Sequence, residues 1–169
     1  LMSFAIGQLR LAEALTALAA LFPSAVMGLF LGCLLANLLN PQSLGLIDLL
    51  AGSAVTLLAA FLTWRLAGPW RRSLARQVRG EEAPAGGRLL RLLPALLPPV
   101  VLNALVVGSY LPFLVQTGKP TVSLIALSIG SLFLSQALVV FGLGLPLVLA
   151  LKRTPWAMRE YLVQGGKSL

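Results

Sequence analysis

Between Thr121 and Leu151 the chain carries no Asp, Glu, Lys or Arg. A helix needs about 20 apolar residues to cross the hydrocarbon layer of a bilayer, and this run exceeds that length. Further apolar stretches cover residues 1–22, 23–40, 44–64 and 92–115. With 58% of its 169 residues hydrophobic and 11% charged, the chain holds more apolar surface than one soluble core of this size can hide. Lipid must be the solvent. Blocks such as "LIDLLAGSAVTLLAAFL" lack the strict alternation of a barrel strand. The expected fold class is an all-α integral membrane protein, a bundle with five spans in this chain.

The charges divide the sequence. Residues 1–151 read as a transmembrane bundle interrupted by a basic loop at 65–91, and residues 152–169 as a polar tail. Pro23, Pro41 and Pro120 mark junctions. The loop holds Arg65, Arg71, Arg72, Arg76, Arg79, Arg88 and Arg91 against Glu81 and Glu82, and the tail opens with Lys152 and Arg153. Both are expected on the cytoplasmic side of a multi-pass cell-membrane protein, the C-terminus included. Counting spans backwards from the loop leaves residue 1 outside. A further helix is therefore expected ahead of this chain, giving six spans with both ends inside.

Several function classes are excluded. With no histidine and only Cys33, the chain has no ligand set for zinc or haem, so no metal and no cofactor is expected. The net charge of +8 lies between apolar runs, next to lipid headgroups, which argues for membrane lipid and against nucleic acid as partner. "GLGLP" at 142–146 lacks the strand-to-helix setting of a dinucleotide motif, and no phosphate-binding loop is present. Cys33 and the spaced Gly28, Gly32 and Ala36 read as packing. Trp64, Trp70 and Trp156 read as interfacial anchors.

The polar residues inside apolar runs carry the functional signal. Arg10, Glu13, Asn37, Asn40 and Asp48 fall toward the outer ends of three segments, whereas Asn103 and Gln136 lie near mid-span. A polar side chain at that depth must face protein or a water-filled cavity, so an outward-opening pocket floored by amides is expected. Other readings stay open. Arg10 and Glu13, three residues apart, share a helix face and can neutralise one another. Asn37 and Asn103 can be glue between helices, and Asp48 can be solvated at a helix start. An intramembrane enzyme using Glu13 and Asp48 as an acid–base pair lacks a histidine and a nucleophile. A structural subunit without a ligand is the remaining alternative.

The blocks "QLRLAEAL" (8–15), "GLFLGCLLANLLN" (28–40), "LIDLLAGSAVTLLAA" (46–60), "PPVVLNALVVG" (98–108) and "ALVVFGLGLPLVLAL" (137–151) resemble, in order and spacing, the QueT family. Its members are substrate-binding S-components of energy-coupling factor (ECF) transporters for queuosine precursors. The resemblance implies a six-helix, non-enzymatic protein that captures a 7-deazaguanine such as queuine outside the cell. Its partners would be a transmembrane coupling subunit and two ATPase subunits. It departs from the family at Ser135-Gln136, where Gly-Glu is common, so a neutral amide stands where a carboxylate would meet a cationic aminomethyl group. That leaves another vitamin-like heterocycle open as cargo. The expected substrate-binding residues are Glu13, Arg10, Asn37, Asn103, Gln136 and Asp48, with none catalytic. A carboxylate at Glu13 can accept both N–H groups of a guanine edge, and Phe4, Phe30 or Tyr110 can stack on the ring.

Overall fold

The computed structural model describes residues 13–39, 46–81, 88–115 and 119–166. Within them every regular element is helical. The first, α1, covers residues 13–20, an α-helical turn tightening into the 3-10 turn Ala17–Ala20. After a break at Pro23 follow α2 (Ser24–Leu39), α3 (Asp48–Leu66) and α4 (Gly68–Val78). The remainder is α5 (Leu89–Val115), α6 (Val122–Leu151) and α7 (Pro155–Gly166).

Three of these, α3, α5 and α6, are long and apolar enough to cross a membrane. At 16 residues, α2 rises about 24 Å, short of the full hydrocarbon thickness. Only 22% of the most apolar stretch of α6 is buried. Leu127, Leu134 and Leu138 on α6, like Met27, Leu31 and Leu35 on α2, stand exposed. Such surfaces are stable only against lipid.

Antiparallel neighbours set the register. Cys33 meets Thr56 and Val26 packs against Ala60, so α2 and α3 run in opposite directions. A β-carbon on Gly108 would stand 2.8 Å from the Ile129 Cα, so α5 and α6 touch backbone to backbone there. Gly144 makes the equivalent approach to α1, its missing β-carbon lying 2.9 Å from the Ala14 carbonyl oxygen and the Ala17 Cβ. Glycine is required at both points. Gly28 and Gly32 are not used in this way. Among the described residues nothing lies within 4 Å of a β-carbon at either, and Ala36 is exposed, so that small-residue row is no seam between the described helices.

The main apolar core sits at one end of the bundle. Leu21 and Phe22, Trp70 and Leu74, Leu92 and Leu96, Val140 and Val148, and Ala157 form one cluster. The segment expected as a polar loop thus contains α4, and the tail contains α7. Trp70, Ser73 and Leu74 share the buried face of α4, while Arg72, Arg76 and Arg79 share the exposed one. Trp70 is 1% exposed, which corrects its reading as an interfacial anchor. Trp156 is exposed on one side and stacks on Phe22 with ring centres 4.6 Å apart.

Arg71 ties this end together. Its Nη1 donates to the carbonyls of Ala20 at 2.9 Å and Trp64 at 2.8 Å, at the last turns of α1 and α3. Those are carbonyls near helix ends, and a cation there also complements the helix dipole. The guanidinium lies over the Trp64 ring, 5.5 Å from its centre. Burial first, then neighbouring Arg72, pulls the Arg71 pKa down from its ordinary value to about 10, and it stays protonated at neutral pH.

Candidate functional site

At the end opposite the arginines, three helices bring polar side chains to one point. Asp48 opens α3 on a π turn that runs to Gly52. Such turns widen the helix and re-aim a side chain, frequently at functional sites. The Tyr110 hydroxyl, from α5, donates to Asp48 Oδ1 at 2.7 Å. Asn37, from the last turn of α2, donates through Nδ2 to Cys33 Sγ at 3.7 Å. Thr56 donates to the same sulfur at 3.5 Å and to the Gly52 carbonyl at 2.9 Å.

Gly52 is the hub. The three nearest atoms to the place its β-carbon would occupy are Asn37 Nδ2 at 3.5 Å, Asp48 Oδ1 at 3.6 Å and Tyr110 Oη at 3.6 Å. Asn37, Asp48, Gly52 and Tyr110 are all partly exposed, so the point of convergence is reachable. One amide donor faces two oxygen acceptors across it.

A second polar level lies deeper. Asn103 and Gln136 are buried, at 8% and 2% exposure. Measured from the Gly108–Ile129 contact, Asn103 lies five residues back along α5 and Gln136 seven residues on along α6. At 1.5 Å per residue they share one level to within about 3 Å. Gln136 Oε1 is buried with no hydrogen-bond partner among the described residues, which leaves a strong acceptor for an incoming donor. The Ser53 hydroxyl, next to Gly52, is buried in the same unpartnered state.

The expected site residues therefore divide. Asn37 and Asp48 come together; Asn103 and Gln136 share the deeper level. Glu13 belongs to α1, and its Oε2 atom is buried. Seven residues separate Glu13 from Ala20, which meets Arg71, so it stands at most about 14 Å from the basic end. It is thus not at the outer rim, where the sequence suggested it. Arg10, Asn40 and Phe4 lie outside the described residues. Tyr110 was legible only as a ring for stacking, and its hydroxyl bond to Asp48 was not foreseen. Gly52, Thr56 and Cys33 carried no signal as site residues, because their role arises from the α2–α3 register. Among the described residues no group of His, Cys, Asp or Glu could hold a metal ion.

Three long apolar helices with an inward-facing polar cluster suit a membrane protein that handles a small polar solute. Comparison with curated proteins and with solved structures found no match. The family model described as QueT transporter matches residues 1–153. Over nine-tenths of its sequence, therefore, the chain belongs to the QueT transporter family.

Proposed function

We propose that the chain is the substrate-binding S-component of an energy-coupling factor importer and captures a 7-deazaguanine queuosine precursor from outside the cell. The observation that carries this reading is the meeting of Asn37, Asp48 and Tyr110, from three membrane helices, at the end opposite the arginines. Polar groups placed in hydrocarbon cost free energy unless they serve one another or a shared occupant. The end bearing Arg65, Arg72, Arg76, Arg79 and Arg153 is then cytoplasmic, with the C-terminus, and the polar cluster opens outward.

The Glu13 carboxylate suits the paired N–H groups of a guanine edge, and Asn37, Asp48, Asn103 and Gln136 supply donors and acceptors for the rest. This chain performs no chemistry. A transmembrane coupling subunit and two ATPase subunits drive release to the inside. The unpartnered Gln136 oxygen favours a second reading of the cargo, a neutral vitamin-like heterocycle that donates one hydrogen bond at that level.

Native mass spectrometry of the purified protein tests the proposal. A co-purifying deazaguanine, lost in Glu13→Gln or Asp48→Asn with folding intact, supports it. Retention of a different heterocycle moves the assignment to the second reading. If nothing binds and the substitutions only unfold the protein, the polar residues are helix glue.

A further inference from the structure

We infer that Gly52 sets the specificity of this site by leaving open the space between Asn37, Asp48 and Tyr110, and that the space takes a neutral hydroxyl of the ligand. The inference rests on the capture function proposed above and deepens it.

Among the described helical glycines, Gly52 alone has three polar side-chain atoms as its nearest neighbours, and neither conformation nor packing requires glycine there. Its backbone is ordinary right-handed helix, φ −60° and ψ −45°, so glycine is not needed there for conformation. Nor is it needed for helix packing, because the three nearest atoms stand 3.5–3.6 Å from a β-carbon, an ordinary contact distance. Gly108 and Gly144 differ in both the distance and the kind of atom met, with backbone at 2.8–2.9 Å. In a helix, a glycine required by neither constraint is destabilising relative to alanine. What a methyl would change at Gly52 is the access of another molecule to three polar atoms at once.

The identity of those atoms selects the guest. A hydroxyl accepts from Asn37 Nδ2 while donating to Asp48 Oδ1 or Tyr110 Oη, satisfying both kinds of partner. An ammonium group donates to the oxygens but accepts nothing, and so leaves Asn37 Nδ2 with only its long contact to the Cys33 sulfur. Asp48 already accepts from Tyr110 at 2.7 Å, so part of its capacity is used within the protein.

The test measures binding of 7-hydroxymethyl-7-deazaguanine, 7-aminomethyl-7-deazaguanine and unsubstituted 7-deazaguanine to the full chain in lipid nanodiscs. Wild type is expected to hold the hydroxymethyl compound tightest. Gly52→Ala is expected to weaken it by about ten- to two-hundredfold, leave unsubstituted 7-deazaguanine unaffected, and keep or raise the melting temperature. Gly130→Ala, where nothing lies within 4 Å of the new carbon, controls for stiffening of a helix. Asn37→Ala removes the one donor the guest hydroxyl accepts from, and should erase the preference for the hydroxymethyl over the aminomethyl compound even if Gly52→Ala proves unstable. Equal binding of the hydroxymethyl compound by wild type and Gly52→Ala, or a wild-type preference for the aminomethyl compound, overturns the inference and leaves the capture function standing. Failure of wild type to bind any of the three overturns the capture of deazaguanines, and the role of Gly52 falls with it.

Discussion

The two ends of the bundle treat their polar side chains in opposite ways. At the basic end Arg71 is buried, held by two backbone carbonyls at 2.8–2.9 Å and roofed by Trp64, among closely packed apolar residues. At the other end Asn37 Nδ2 reaches only the Cys33 sulfur, at 3.7 Å, and Asn37, Asp48 and Tyr110 stay partly exposed, although Tyr110 and Asp48 share a short bond. One end is locked and the other is poised. Stability should therefore be concentrated where α1, α4 and α7 meet, and recognition where α2, α3 and α5 meet.

The largest break in that contrast should come from Trp70→Ala. Removing a side chain that is 1% exposed from the basic-end core costs about 3–5 kcal/mol, read as a lost or strongly lowered unfolding transition in detergent. Arg71→Met should follow at about 3 kcal/mol, since two carbonyls lose a charged donor at once. Arg71→Lys should recover little, because an ammonium on a shorter stem does not reproduce the flat guanidinium that lies over Trp64 while Nη1 reaches both carbonyls. If either variant keeps wild-type stability but loses ligand, the division of labour between the ends is wrong.

Next in size is Gly108→Val. The added carbons would press on the Ile129 backbone, and overpacking of this kind costs about 1–3 kcal/mol. Gly32→Val on α2, where nothing lies within 4 Å, should cost under about 1 kcal/mol. The pair separates glycines that seat helices from glycines that merely line a surface.

These pairs also show what a one-dimensional reading could reach. The spans of α3, α5 and α6 were legible because hydropathy depends only on local composition. Glycines were not, since "GLFLG" around Gly28 and "VVGSY" around Gly108 look equally suited to close packing, and only the partner helix decides. The helical state of α4 was missed because its many arginines suggested a loop, although Trp70 and Leu74 four residues apart, with Arg72, Arg76 and Arg79 on the far face, carried the amphipathic signal. At the site, Asn37 and Asp48 stood out as polar residues in apolar surroundings. Their junction with Tyr110 through the space beside Gly52 depends on a π turn and on helix register, neither of which is written in local sequence.

A smaller effect on folding, and a larger one on binding, is expected from Asp48→Asn. The amide oxygen still accepts from Tyr110, so stability should fall by no more than about 1 kcal/mol. Loss of the charge should weaken capture of a ligand that donates to Asp48, by about tenfold or more, measured by titration in nanodiscs. A stability loss as large as that of Arg71→Met would make Asp48–Tyr110 a structural bolt, and erase the difference between the ends.

Cys33→Ser should change least, within about 0.5 kcal/mol, because the contacts it makes through sulfur are long. That near-neutrality makes the thiol a clean reporter of the poised end, being the one cysteine in the chain and partly exposed. A membrane-impermeant maleimide added to intact cells should label Cys33 if the polar cluster opens outward. Bound ligand should slow the labelling, since Asn37 and Thr56, which touch the sulfur, border the proposed cavity. Labelling only after the membrane is breached would place the polar end in the cytoplasm and reverse the proposed orientation. Labelling that is outward but indifferent to ligand would keep the orientation and move the ligand away from Gly52, toward the deeper level of Asn103 and Gln136.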